Sequence, residues 1–442
     1  MGRAPAFAKA TADRQDDTRD AMKKTKAIVL AAGMGTRMNS DVPKVLHSVG
    51  GEPMLGKVLC SLKEAGIDDI VVVIGHKPEL IKKAFQGKAH FVEQKKLLGS
   101  GDAVKCAVSA IKGTDGDVIV TCGDTPLITA SVYRELLRRH RSQRASCTLL
   151  TCELEDPSSY GRIVRDESKK ILKIVEEKDA TGDEKKIQEI NVGTYCFNAQ
   201  ILREYIHGIT VNKKKKEFYL TDIVQILREN GNKITSGGCS PCEAIGVNSR
   251  KDLAMVNKIL NEQKLCGLME SGVSVVDPGN TYVAGDAEIG RDTVIFPNTV
   301  IEENVKIGAR CKIGPFARIR PGSRIDENVE IGNFVEICRT EIGSGSRVKH
   351  HTYLGDAVLG REVNIGAGTI TANYDGEKKH RTLIGDGAFI GVGATLVAPI
   401  KIGKKAKVGA GSVVTKNKDV PDGATVIGVP AKPFKKRGND HG

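Results

Sequence analysis

The stretch Glu288–Cys338, EIGRDTVIFPNTVIEENVKIGARCKIGPFARIRPGSRIDENVEIGNFVEIC, carries isoleucine at 289, 295, 301, 307, 313, 319, 325, 331 and 337, every sixth residue without a miss. A period of six is neither helical nor a simple strand alternation. It is the signature of a hexapeptide β-helix, in which each coil is three short strands and each aliphatic anchor points inward. After two five-residue steps the phase resumes, and Ile384, Ile390, Leu396, Ile402, Val408 and Val414 continue it. A β-sandwich would instead want turns every ~8–12 residues in no fixed register. Thr371 to Thr382 breaks the phase, so it reads as an excursion from the coil, the usual place for a binding loop. Small triangular coils take Ile, Val and Leu inside but few rings, which fits 4% aromatics, no Trp and 49 Gly in 442 residues. The coil domain is placed over 276–430, with a basic tail over 431–442.

Upstream, Ser249 with Asp252 three residues on reads as a helix start, and Leu253, Val256, Ile259 and Leu260 give an apolar stripe. A helical linker over 251–275 follows from it. Before that, KAIVLAA, DDIVVVIGH and GDVIVTCGD are continuous apolar runs separated by amphipathic stretches at Pro53–Glu64 and Pro78–Phe85. Such runs argue strands buried on both faces of a parallel sheet, hence a Rossmann-like, doubly wound α/β domain over 23–250. Ligands of such sheets bind beyond the carboxyl ends of the strands.

Composition narrows the function classes. With 67 Lys and Arg against 54 Asp and Glu the net charge is +13, which favours anionic partners. No zinc module, RNP-type aromatic segment or Arg-rich stripe accompanies the charge, so a nucleic-acid-binding protein is the less favoured class. No apolar run of bilayer-spanning length occurs, and no membrane partner is expected. Eleven scattered cysteines are an odd number, the pattern of reduced cytosolic thiols; Cys239 and Cys242 form one CxxC without a second metal-binding pair. Residues 1–22 read as a polar, Ala-rich disordered arm, and Met22 is a second candidate start.

The first strand ends in LAAGMGTRMNSDVPKVLH, residues 30–47. Ala31, Ala32, Gly33 and Gly35 let backbone N–H groups approach a phosphate, and Arg37 and Lys44 supply a cationic clamp. No GK[ST] closes the loop, so it is not a Walker loop. LAAGxGTRM followed by PKVLH resembles the signature of sugar-1-phosphate nucleotidylyltransferases, in the form found in the bifunctional N-acetylglucosamine-1-phosphate uridylyltransferase/glucosamine-1-phosphate acetyltransferase family. That resemblance implies nucleotide binding by Leu30, Ala31, Ala32 and Gly33, and by Gln94, Gly99 and Ser100 of EQKKLLGSGDAV. It implies Mg²⁺ ligation by Asp124 of CGDTPL and Asn248 of GVNSR, and sugar binding by Gly161, Glu176 and Asn191. Arg37, Lys44 and Mg²⁺ would stabilise charge on the α-phosphoryl group of UTP while the sugar phosphate attacks and pyrophosphate leaves. Met34 stands where many relatives carry a basic residue, and Asp102 where His is frequent.

In the coil, SRVKHHTYLGDAVLG and NIGAGTITANYDG resemble the acetyltransferase half of the same family, a left-handed parallel β-helix that works as a homotrimer with sites between subunits. The resemblance aligns His350 with the catalytic base, and Arg320, Tyr353, Asn364 and Lys379 with sugar phosphate contacts. It places Ala367, Asn373, Tyr374 and Ala410 at acetyl-CoA. Departures cluster here: Cys338 replaces a usual Lys beside Arg339, His351 replaces an apolar neighbour of the base, and Val392 and Gly428 stand at CoA contacts. Loss of the ammonium removes a charge-assisted contact of ~1.5–3 kcal/mol unless Arg339 or Lys349 reaches over. The resemblance implies a cytosolic enzyme making UDP-N-acetylglucosamine from glucosamine 1-phosphate, acetyl-CoA and UTP, through N-acetylglucosamine 1-phosphate. The alternative is a monofunctional nucleotidylyltransferase whose coil serves only trimerisation or regulation.

Overall fold

The computed structural model describes residues 25–111, 113, 115–212 and 216–433, so the expected arm over 1–22, residues 213–215 of the lysine run and the tail over 434–442 lie outside the described residues. The chain forms two compact units that divide between Asn257 and Lys258, inside the segment read as a linker.

The first unit is built on a nine-stranded sheet whose main path runs Ile234–Gly238, Cys147–Glu153, Glu189–Asn198, Asp117–Cys122, Lys26–Ala31, Asp69–Ile74, His90–Glu93. The apolar runs sit at its centre: Lys26–Ala31 pairs in parallel with both Asp69–Ile74 and Asp117–Cys122. Helix Met54–Glu64 turns Leu55, Val58, Leu59 and Leu62 onto one face, packed with Ala27, Val29 and Val72. Helices Ser100–Ala107 and Asp222–Glu229 cover the other, where Val104, Ile223 and Leu227 meet Ile28, Val73 and Val120. Burial on both faces is why these strands are uniformly apolar.

One strand departs from the parallel arrangement. Glu189–Asn198 runs antiparallel to Asp117–Cys122 and to Cys147–Glu153. A parallel return needs a crossover, usually a helix. The chain between Glu153 and Glu189 supplies the hairpin Gly161–Arg165/Ile171–Val175 instead, and that hairpin adds to the reversed strand.

The second unit is the coil. Its strands stack in three ladders of ten, eight and seven strands, parallel throughout except for the last strand of the first, Lys432–Pro433, which pairs antiparallel with Thr425–Ile427. Anchors lie directly over one another, Ile295 on Ile313, Ile313 on Ile331 and Ile331 on Val348, and all four are buried. Full burial of such a side chain is worth roughly 1.5–3 kcal/mol, so the column accounts for much of the unit's stability. The five-residue steps are shortened sides, pairing Ile325 with Ile342 and Ile342 with Leu359. The excursion emerges between Ile370–Ala372 and Thr382–Ile384 and carries an antiparallel bridge, Tyr374 to Lys379, with Asp375 paired to His380 and Lys416. Helix Arg250–Glu270 starts at the predicted capping box, in which the Asp252 carboxylate accepts from the Asn248 and Ser249 amides at 3.0 and 2.8 Å. Its later residues Leu265 and Leu268 join the coil core, and Asn261 bonds the Thr281 carbonyl and the Val283 amide, closing the first open edge. Among the described residues no helix is long and apolar enough to cross a membrane.

Candidate active sites

The parallel strands Lys26–Ala31 and Asp117–Cys122 end side by side, and a cleft of about 440 Å³ opens there. Leu30, Ala31, Ala32, Gly33, Lys44, Gln94, Gly99, Ser100 and Asp124, all expected from sequence, line it, together with Met34, noted as a departure, and Thr36, Leu97 and Glu217, which were not singled out for it. Gly33 faces open space where a side chain would intrude. Gly99 has φ +100, and a Cβ there would sit 2.6 Å from the Phe218 carbonyl oxygen, so glycine is required where the loop turns into helix Ser100–Ala107. Gln94 is buried, and its amide donates to the Gly99 carbonyl at 3.1 Å and to Asp102 at 2.7 Å. Asp102, where relatives often carry His, thus orients the residue expected to read the base.

Lys44 opens the short turn Lys44–Leu46, and its ammonium donates to the Asp124 carboxylate and, at 3.2 Å, to the amide oxygen of Asn248. Two residues 124 positions apart in sequence meet because the Asp124 carbonyl accepts from the Val247 amide at 2.8 Å, and the capping box then fixes Asn248. Arg250, missed in the sequence, donates to the Met38 carbonyl at 3.2 Å and approaches the His47 ring at 3.2 Å, tying the Lys44 turn to the helix start. Burial and the Arg250 charge hold His47 below its ordinary value, which favours the neutral ring beside that guanidinium. Arg37 is exposed on the turn Thr36–Met38 and stands outside the cleft lining.

Gly161, Glu176 and Asn191 also lie outside that lining, on the reversed strand and its hairpin. Gly161 pairs with Asn191, whose amide donates to the Tyr195 hydroxyl at 2.7 Å across a register shift. Glu176 accepts from the Thr221 hydroxyl at 3.0 Å, and burial, with Asp222 and Asp179 nearby, raises its carboxyl above the ordinary value. Cys122 reaches the Gly193 carbonyl at 3.7 Å, and burial, with Asp124 adding, pushes its thiol up to about 12.

On the coil, His350 ends strand Arg347–His350, exposed, with its Nδ1 2.8 Å from the amide oxygen of Asn333. Tyr353, one turn on, folds its hydroxyl over Gly355, where the Asn373 amide also arrives, and Asn373 donates on to Asp356. The structure therefore joins Tyr353 and Asn373 but leaves Tyr374 and Lys379 exposed on the excursion, Asn364 in a ladder strand and Ala367 and Ala410 in the turns of later coils. Cys338 is buried beneath this group, in register with Gly355. Neither replacement for the missing lysine is free. Arg339 holds Asp356 with Nε and Nη2 at 2.6 and 2.8 Å, pulling that carboxyl below its ordinary value, and Lys349 pairs with Glu330 at 2.6 Å. Arg320 donates to Glu336 at 2.9 Å through Nη1, while its buried Nε has no hydrogen-bond partner.

A nucleotide-sized cleft at the strand ends of one unit and a histidine presented by a hexapeptide coil in the other define a nucleotidyltransferase joined to an acyltransferase in one chain. Family models agree unit by unit. The MobA-like NTP transferase domain matches residues 27–185, the bacterial transferase hexapeptide matches 286–321 and 304–339, and the hexapeptide repeat of succinyl-transferase matches 381–416. Proteins named "Bifunctional protein GlmU" are similar over nearly the whole length. That of Carboxydothermus hydrogenoformans is 44% identical over 436 residues, covering 91% of this chain and 97% of that protein. Those of Pelobacter propionicus and Shouchella clausii are each 42% identical, over 92% and 91% of this chain and 96% and 95% of theirs. The chain belongs to the GlmU family. It is a bifunctional enzyme of UDP-N-acetylglucosamine synthesis, with uridylyltransferase and glucosamine-1-phosphate acetyltransferase activities, and the monofunctional alternative is not favoured.

Proposed function

We propose that Lys44, Asp124 and Asn248 serve uridylyl transfer in the first unit and His350 serves acetyl transfer in the second. The second unit acetylates glucosamine 1-phosphate from acetyl-CoA, and the first joins the resulting N-acetylglucosamine 1-phosphate to UTP. The observation that carries the reading is the seat of the Lys44 ammonium, a cation held between the oxygens of Asp124 and Asn248 at the mouth of the nucleotide cleft. One carboxylate and one amide oxygen around a positive charge are the hard donors that suit Mg²⁺. Bound there, Mg²⁺ would supply charge neutralisation to the triphosphate. Lys44 holds phosphoryl oxygens, Gln94 reads the uracil, and backbone amides at Ala32 and Gly33 approach the phosphates. A phosphate oxygen of the sugar attacks the α-phosphorus; the new P–O bond forms as the bond to pyrophosphate breaks. Pyrophosphate release from UTP and N-acetylglucosamine 1-phosphate should stop on chelation and return with added Mg²⁺; release unaffected by chelation would remove the metal role.

Glu176 is assigned to the sugar, and its environment predicts a trade-off. Its folded-state value is raised above the ordinary 4.5. The stability linked to this group is therefore full below that value and lost as pH rises through the raised one. Glu176→Gln keeps an oxygen for Thr221 and removes the buried charge. It should melt higher than the parent at pH 7, an advantage that vanishes near pH 4, while KM for the sugar phosphate rises. Equal melting at pH 7 would contradict the assignment of the penalty to Glu176.

In the coil, His350 is the general base and Tyr353 and Asn364 hold the sugar. The unpartnered Nε of Arg320 supports a phosphate contact there, shared with Lys379 on the excursion, and it takes over part of what Cys338 cannot supply. Acetyl-CoA would lie against Ala367, Asn373, Tyr374 and Ala410. A homotrimer is part of this reading, supported by apolar side chains left exposed on the coil, Ile370, Phe389, Val392 and Val429 at 47, 49, 58 and 72%. A cytosolic setting is supported by the free state of the eleven cysteines.

A further inference from the structure

Strands of the coil are mostly two residues long, yet Glu330–Asn333 and its parallel neighbour Arg347–His350 each run to four. The extension carries their pairing to the corner, where Asn333 stands directly opposite His350. Gly332 permits it, because a Cβ there would collide with the Lys349 carbonyl. The His350 ring is thereby set beside the Asn333 amide, with Nδ1 and Oδ1 2.8 Å apart. The next rung buttresses the pair: the His351 ring stacks on Phe334 at 5.1 Å, and Phe334 on Phe316 at 5.2 Å. The His350 backbone is held as well, its carbonyl accepting from the Thr352 hydroxyl at 2.7 Å.

An amide oxygen can only accept, so the Nδ1–H of a neutral imidazole donates to it and the lone pair is left on Nε2. We propose that Asn333 is the positioning residue of the acetyltransferase half, holding the His350 proton on Nδ1 so that Nε2 is the basic atom. The proposal rests on His350 being the base. In the reaction the substrate nitrogen bonds to the thioester carbonyl carbon, its proton passes to Nε2, the C–S bond breaks, and the leaving thiolate takes that proton from Nε2. A neutral acceptor fixes the tautomer without adding a negative charge that would raise the imidazole's proton affinity.

Two readouts test this in the full-length chain. The ¹⁵N signals of the His350 ring, recorded without substrate, are expected to show Nδ1–H in the parent and a shift toward Nε2–H in Asn333→Ala. In steady-state acetyl transfer, Asn333→Ala should lower kcat ~10–100-fold with KM for glucosamine 1-phosphate within about twofold. Asn333→Asp should restore most of kcat and move the acid limb of the pH profile up by about one unit, since a carboxylate stabilises the imidazolium. Uridylyl transfer by the same samples reports that the protein is folded; if Asn333→Ala does not fold, the limb shift in Asn333→Asp decides. An unchanged ring signal with kcat within twofold, or an unshifted limb in Asn333→Asp, overturns the proposal. Full acetyl transfer by His350→Ala would instead overturn the base assignment on which it stands.

Discussion

In the His350→Ala chain, release of free thiol from acetyl-CoA and glucosamine 1-phosphate is expected to fall by ~10²–10⁴-fold, the range general-base catalysis supplies. An amine attacking a thioester must lose a proton, and His350 is the group assigned to take it, presented to solvent at a coil corner beside Asn333. The side chain is exposed and packs against none of the buried anchors, so its removal should leave the melting temperature unchanged. Uridylyl transfer by the same protein should proceed at the parental rate. Parental thiol release would show that the base lies elsewhere.

The second large effect is expected at Asp124. Its carboxylate is the one charged oxygen of the pair around the Lys44 ammonium, and Asn248 contributes only a neutral one. Asp124→Ala should therefore lower pyrophosphate release from UTP and N-acetylglucosamine 1-phosphate by at least ~10²-fold, comparable to loss of a preorganised charge-stabilising group. Asp124→Asn is expected to stay nearly as low, because it restores shape but not charge. Recovery of activity in the asparagine variant would mean that Asp124 shapes the loop through its contacts and does not hold the cation.

These sites were unequally legible in the sequence. The coil was readable because one period fixes both fold and burial: an anchor every six residues has only one inward direction. The capping box at Ser249 and Asp252 was equally local, and it turned out to position Asn248. The reversed strand Glu189–Asn198 was not readable, since an apolar run buried on both faces looks the same in either direction and only the intervening hairpin sets its sense. Asn333 was missed although a signal existed. It lies two residues past anchor Ile331 and His350 two past Val348, so counting from anchors would have paired them. Arg250 carried no local signal, since its partners Met38 and His47 lie some two hundred residues upstream, and Asp102 was visible as a departure while its partner Gln94, outside the helix, was not. The departure at Cys338 was visible as a lost charge, but only the structure shows Arg339 and Lys349 committed to other carboxylates.

The central claim is that one chain carries out both transfers. Incubation with glucosamine 1-phosphate, acetyl-CoA, UTP and Mg²⁺, followed for UDP-N-acetylglucosamine alongside thiol and pyrophosphate, tests it most directly. The account predicts that all three appear together and that omitting acetyl-CoA abolishes the nucleotide sugar until N-acetylglucosamine 1-phosphate is added. Pyrophosphate released from N-acetylglucosamine 1-phosphate with no thiol released from acetyl-CoA under any of these conditions would contradict it.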